Sequence, residues 1–212
     1  MNDNNRPKIR FKRYNDDWKQ RKLGDMTEFV TGKAFSSELV DDGIYIVMDM
    51  GTVSQEGDRI ETKKTNTKRD ILIKDDLIMP KDDIGGGLII GRTAHIPCDN
   101  KYVLGDHVYR LRFNNEYGLF IHYQINSDYV RKQIMPIVTG SAQLGLNSKN
   151  VKDVNVRIPS HDEQKKISKL LIDLDDAVAV YQCKLNKLKN IKKALLEKMF
   201  LQKRRNQTTN KI

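Results

Sequence analysis

The sequence predicts an α+β fold: a globular domain with a mixed or antiparallel β-sheet and short helices, followed by one long C-terminal coiled-coil helix. Three observations predict it. Short β-branched and aromatic runs, separated by turn residues, fill the earlier part of the chain. Helical patterns follow those runs instead of alternating with them, which argues against a parallel βαβ fold. From Ser160 to about Leu201 apolar residues recur in a heptad, with no Pro or Gly after Pro159.

In chain order, residues 1–13 are polar and basic and are expected to be a flexible arm. Residues 14–159 form the globular domain. Tyr14–Leu23 leads in with the single tryptophan, Trp18, and Gly24–Thr31 is a short helix or strand ending at Gly32. Gly43–Met48 is a buried strand by its β-branched and aromatic content. Gly51–Arg69 is polar, with Gly57 at a turn, and is a long loop or irregular hairpin. Ile71–Ile73 and Leu77–Met79 are short apolar runs around an acidic turn at Asp75-Asp76. Pro80–Gly87 is a loop carrying Lys81, Asp82, Asp83 and three successive glycines. Leu88–Ile96 resumes as a strand and Pro97 breaks it. Asp106–Phe113 alternates, with Tyr109, Leu111 and Phe113 on one face and Val108, Arg110 and Arg112 on the other. Two short helices are expected near Tyr117–Ile125 and Asp128–Ile134. A Gly/Ser loop follows over Thr139–Ser148, then a last alternating strand over Val151–Ile158.

The helix spans residues 160–201. Ser160 and Glu163 have the spacing of a capping box. Ile167, Leu171, Leu174, Val178, Tyr181, Leu185, Leu188, Leu195 and Met199 follow at steps of four and three, with Lys192 the one polar residue in the seam. About forty residues make a rod of roughly 60 Å, whose seam needs a second rod that no other stretch supplies. Residues 202–212 are expected to be a flexible basic tail.

Composition narrows the function. A formal charge of +10 and a pI of about 9.5 favour an acidic partner, nucleic acid first and anionic membrane second. No apolar run approaches the ~18 residues of a membrane span, and no signal-peptide core is present, so the chain reads as cytoplasmic. Cys98 and Cys183 lie in different modules and read as reduced thiols.

Catalytic signals are weak. Glu61-Thr62-Lys63 fits the tail of a nuclease-type carboxylate–lysine pattern, but such common residues meet by chance. His95 and Cys98 have ligand spacing, yet zinc would have to recruit His107 or His122 from elsewhere. Gly85–Gly87 with Gly91 lacks the following helix of a phosphate cradle. No Pro-Pro occurs, which excludes an amino-methyltransferase motif, and no Walker lysine is present. The chain reads as a binder that needs no cofactor and no metal.

Binding signals are stronger as a group. Lys33, Lys63, Lys64, Lys68, Arg69, Lys81, Asp82, Arg92, Ser141, Gln143 and Asn147 occupy loops among small and amide residues. Arg and Lys can reach phosphates or guanine edges, and Gln and Asn can reach adenine edges. Any one lysine alone is ordinary solvated surface, and the three glycines alone are a tight turn.

The order of short motifs carries a resemblance. Pro7–Phe11 through Trp18 to Arg21–Asp25 comes first, then Asp76-Leu77-Ile78 before the Lys81–Gly91 loop. Thr139-Gly140-Ser141-Ala142-Gln143, Ile158-Pro159 and Glu163–Ile167 follow, and Leu188–Phe200 closes the helix. In this order they resemble the specificity (S) subunit of Type I restriction–modification systems, in a half-length form with one target recognition domain and one conserved helix. Asp75 stands where that family has glycine. The resemblance implies a non-catalytic subunit that reads one half of a split double-stranded DNA site. It also implies methyltransferase subunits, with the restriction subunit as a possible further partner, docking on the helices to methylate adenine. One domain and one helix then imply a homodimer, with Ile167, Leu171, Leu174, Val178, Tyr181, Leu185, Leu188 and Leu195 in its interface. The alternative is an adaptor or decoy that occupies the methyltransferase subunit and reads no DNA.

Independently of the resemblance, charge favours antiparallel pairing. His161–Asp176 holds five acids against three lysines, and Lys184–Arg205 holds nine basic residues against Glu197. Antiparallel packing brings unlike halves together, at roughly 0.3–0.5 kcal/mol per exposed pair. The rival arrangement turns the basic half toward DNA or the methyltransferase subunit.

Overall fold

Fifteen strands and α-helices follow one another in the computed structural model, which describes residues 6–35 and 37–200. The tail expected over 202–212 lies outside the described residues, as do residues 1–5 of the expected N-terminal arm. The strands are β1 (Lys19–Lys22), β2 (Thr27–Thr31), β3 (Tyr45–Met48), β4 (Lys64–Thr65), β5 (Leu77–Pro80), β6 (Asp82–Asp83), β7 (Ala94–His95), β8 (Tyr102–Leu104) and β9 (Val108–Phe113). Helices α1 (Gly118–Asn126) and α2 (Asp128–Ile134) follow, then β10 (Leu144–Gly145), α3 (Ser148–Lys152), β11 (Asn155–Ile158) and α4 (His161–Met199). The chain divides into two compact units, the first ending at Ser168 and the second beginning at Lys169.

In the first unit a four-stranded antiparallel sheet runs in the order β2-β9-β5-β7. A three-stranded sheet runs β4-β3-β8, with β3 and β8 parallel, so the expected mixed pairing is present. Two ribbons complete it, β1-β11 and β6-β10. The four-stranded sheet is buried on both faces. Leu77, Met79, Tyr109 and Leu111 pack with Phe120, Ile121, Ile125, Val130 and Ile134 of α1 and α2. Ile78 and Val108 face the other way, onto Ile46, Met48, Tyr102 and Leu104 of the second sheet. The period-two alternation along β9 therefore serves two cores, and Arg110 and Arg112 are held there by Glu28 and by buried Asp76.

Several boundaries differ from the sequence expectation. Gly24–Thr31 divides into a 3₁₀ turn, Leu23–Asp25, and strand β2. Leu88–Ile96 is a strand only at Ala94–His95. Before that, Gly87 and Gly91 lie at positive φ, and the Asp83 carboxylate accepts the N–H groups of Ile89 and Ile90, which removes them from any ladder. Val151 belongs to α3, which Asn147 caps by accepting the Lys149 N–H at 2.8 Å, so the last strand starts at Asn155. Asp75, which stands where the resemblance places a glycine, has φ +68° and takes the left-handed conformation glycine favours.

Helix α4 runs 39 residues, which at 1.5 Å per residue is about 58 Å. Its first turns belong to the first unit. Glu163 is fully buried, and both of its carboxylate oxygens accept from the Arg10 guanidinium, at 2.7 and 2.8 Å. The expected capping-box carboxylate is thus engaged from outside the helix. Gln164 is buried beside it, accepting the Tyr117 N–H and donating to Glu116. From Leu174 on, by contrast, the heptad is open to solvent, with Val178 67%, Tyr181 69% and Leu188 64% exposed.

Candidate nucleic-acid interface

Strand register brings several loops to one end of the first unit. Strand β2 ends where Thr31 faces Tyr109, and β5 ends where Pro80 faces Val108. Strand β3 ends where Met48 faces Leu104, and residues 105–107 join β8 to β9 at that same end. Backbone bonds knit these ends together. Gly32 donates to Val108 O at 3.1 Å, Gly105 to Met48 O at 2.8 Å, and Lys81 to His107 O at 3.0 Å. Gly32 is required there: a Cβ would fall 1.5 Å from Gly105 O.

Loop 139–147 joins them through the β6-β10 ribbon, in which Asp83 faces Leu144 and Asp82 faces Gly145. Leu146 N–H adds a bond to Lys81 O at 2.7 Å. Thr139 and Gly145 exchange backbone bonds of 2.9 and 2.7 Å, closing a small loop whose outer residues, Ser141 and Gln143, are exposed. Lys81 and Gln143, distant in the chain, are thereby carried on hydrogen-bonded neighbours.

Charge in this region is largely paired. The Lys81 ammonium donates to Asp82 Oδ2 at 2.6 Å, and the His107 ring nitrogen Nδ1 donates to the same oxygen at 2.7 Å. Burial opposes ionisation of Asp82, but these two donors prevail and hold its carboxyl below the usual carboxylate range. Lys63 pairs with Asp49, whose carboxylate also caps the 3₁₀ turn Met50–Thr52 through the Gly51 N–H at 2.9 Å.

The remaining sequence-predicted residues divide into free and committed side chains. Lys33 and Lys68 are exposed. Arg69 lies 3.7 Å over the Phe35 ring, bonds Ala34 O and pairs with Glu38, so it buttresses the loop that presents Lys33. Lys64 is half-buried in β4 opposite Ile46. Arg92 donates to Asn126 O, at the last residue of α1, at 3.0 Å. Asn147 is the α3 cap. The strand ends thus gather Lys33, Lys63, Lys81, Asp82, Ser141 and Gln143, with Arg69 behind them; Arg92 and Asn147 have structural duties. In the sequence, His107 stands out only as a candidate zinc ligand. Its place against Asp82 follows from its positive φ, +59°, and from the strand register, which no local pattern reveals.

The candidate metal residues do not converge. His95 Nε2 bonds Asp75 at 2.7 Å, and Cys98 is exposed. His122 bonds Thr93 Oγ1 at 3.1 Å, and burial, then His95 and Arg59, push its pKa down to about 3. Among the described residues no group of three or more His, Cys, Asp or Glu could hold a metal ion. Glu61 and Lys63 also diverge: Glu61 accepts from Tyr102 Oη at 2.6 Å and from Lys101, while Lys63 turns to Asp49.

Of the eight expected seam residues, Ile167 packs against the first unit's core and Leu171 is half-buried. Leu174, Val178, Tyr181, Leu185, Leu188 and Leu195 are exposed along α4. Among the described residues no helix is long and apolar enough to cross a membrane.

A family model, the Type I restriction modification DNA specificity domain, matches residues 15–190. Two similar curated relatives are from Methanocaldococcus jannaschii. The Type I restriction enzyme MjaVIII specificity subunit is 21% identical over 193 residues, covering 87% of this chain and 42% of the relative. The putative type I restriction enzyme MjaX specificity subunit is 24% identical over 197 residues, covering 87% and 46%. The chain therefore spans less than half the length of the curated relatives it matches. Among solved structures, the S subunit of a Type I restriction–modification system from M. genitalium superposes with a TM-score of 0.61 at 14% identity, covering 89% of this chain and 45% of that one. At that identity the likeness establishes the fold.

Proposed function

We propose that this chain, which belongs to the family of Type I restriction modification DNA specificity domains, reads one half of a split DNA site through the loops around Lys81 and Gln143. The observation that carries this reading is the β6-β10 ribbon: it ties the Lys81 loop to the loop presenting Ser141 and Gln143, at the end of the sheets that also holds Lys33 and Lys63. Lysines there would reach phosphates and set the register, and the amide and hydroxyl side chains would reach base edges. A net charge of +10 supports association with a polyanion. The role is recognition without catalysis, in the cytoplasm. Methyltransferase subunits would supply the chemistry, taking adenine out of the stack to methylate it, and the restriction subunit would be a further partner.

The exposed seam of α4 is proposed to close on a second copy running antiparallel. Acidic residues lie toward its start and basic residues toward its end, so antiparallel copies set unlike charges side by side. The dimer would then hold two half-sites within about two turns of DNA, at ~34–36 Å per turn. Co-expression with a methyltransferase subunit, followed by a map of methylated adenines, tests both parts. An inverted-repeat motif is expected. A motif with two different halves would exclude the homodimer, and methylation without sequence preference would exclude DNA reading. In that last case the same open seam would support the adaptor role, occupying the methyltransferase subunit through α4.

A further inference from the structure

The loop after β6 holds a feature that phosphate contacts and polar base readout leave unused. Ile84 is 73% exposed and Leu88 51% exposed, next to the loop that presents Gln143. Their loop is not slack. Asp83, only 2% exposed, turns its carboxylate beneath it and accepts the N–H groups of Gly85, of Ile89 at 3.0 Å and of Ile90 at 3.4 Å. Gly86 and Gly87 at φ +83° and +87° allow the tight path. The floor is apolar: a Cβ on Gly87 would meet Leu144 Cδ1 at 3.1 Å and Met135 Cε at 3.7 Å. A buried carboxylate thus fixes a loop whose outer side chain is a β-branched hydrocarbon, stiff at χ1. The neighbouring acid, Asp82, is answered by Lys81 and His107, so a polyanion can approach from this side.

We infer that Ile84 is an apolar reading contact that takes the 5-methyl group of a thymine in the major groove. This rests on the DNA-reading proposal above. A hydrocarbon cannot exchange hydrogen bonds with a base edge. The thymine methyl is the one apolar group that the four bases present in that groove. Gln143, on the ribbon-paired loop, is of the type that bonds adenine N6 and N7, so the two side chains suit the two sides of A·T pairs.

The test uses the full chain with its methyltransferase subunit and the half-site taken from the methylation map. Each thymine is replaced in turn by deoxyuridine, which removes only the methyl, and Kd is measured by fluorescence anisotropy at one salt concentration. At one position the replacement should weaken binding about fourfold, the value of one buried methyl, ~0.8 kcal/mol. In Ile84→Ala the same replacement should change Kd by less than about 1.5-fold, as expected when the coupled partner is already gone. If every deoxyuridine duplex binds like its parent, or the loss persists in Ile84→Ala, while the half-site is still preferred over random DNA, the thymine contact is wrong and the DNA-reading proposal stands. If no duplex is preferred, the DNA-reading proposal falls and this one with it. If Ile84→Ala weakens binding of the methyltransferase subunit without DNA and leaves the deoxyuridine profile unchanged, the loop is a protein-docking surface and the inference is overturned. Ile84 lies outside the core, and unchanged thermal melting verifies that the variant folds.

Discussion

Removing Arg10 should destabilise the first unit far more than an arm residue ordinarily would. Its guanidinium meets Glu163 through two bonds, 2.7 and 2.8 Å; the Glu163 side chain has no exposed surface and that of Arg10 is 13% exposed. In Arg10→Ala the carboxylate stays buried and loses both donors. Breaking a buried pair from one side costs ~3–5 kcal/mol. Glu163 sits in the first turn of α4, where the helix dipole favours an anion and offsets part of that loss, so about 3 kcal/mol is expected. For a chain of this size that lowers Tm by roughly 6–12 °C. Calorimetry of wild type and Arg10→Ala reads it directly. The double replacement Arg10→Met with Glu163→Leu should recover most of the loss, because it removes the stranded charge along with its partner. Melting of Arg10→Ala within about 1 °C of wild type, or a double variant weaker than both singles, would refute the assignment of the loss to an unpaired buried carboxylate.

Three further outcomes follow from the same geometry. The folded His122 pKa, about 3, lies below the unfolded value of ~6.5, so the unfolded chain takes up a proton first as pH falls. Stability should drop below pH ~6.5 by up to ~1.4 kcal/mol per pH unit from this group, and denaturant midpoints of His122→Gln should lack that share of the slope. Lys81→Ala and Gln143→Ala should weaken binding to the mapped site more than to random DNA, whereas Lys33→Ala should weaken both and reduce the salt slope by about 1; equal losses on all duplexes for Lys81 and Gln143 would remove them from base readout. Leu185→Asp, in the exposed seam of α4, should convert the proposed dimer to a monomer in sedimentation while its melting holds, and a dimer unchanged by the substitution would place the interface elsewhere.

Elements whose sidedness repeats over many residues were legible in the linear chain. The alternation of Asp106–Phe113 gave β9 and the heptad gave α4, while the short helices expected near Tyr117–Ile125 and Asp128–Ile134 are α1 and α2. Strand β8 has no local signature, because its three residues, Tyr102–Leu104, are too few to show a period. The overlong strand at Leu88–Ile96 failed for another reason: Asp83 captures its N–H groups, and a side chain's choice of backbone partner is a tertiary fact.

The candidate interface divides in the same way. Residue type marked Lys33, Lys81, Ser141 and Gln143, since few side chains can bond phosphates or base edges. It also marked Arg92 and Asn147, which the fold spends on the end of α1 and the cap of α3. Exposure and partner cannot be read from residue type, because both depend on which segments the sheet register brings together. Local periodicity and the order of short motifs by themselves determined the fold class, the long helix and the family, since these are properties of neighbouring residues. Only the tertiary structure decided that the loops at Lys81 and Gln143 form one surface, that Ile84 stands out from it, and that Glu163 answers Arg10 in place of Ser160. Each of these depends on hydrogen bonds between residues far apart in the chain, which no local pattern encodes.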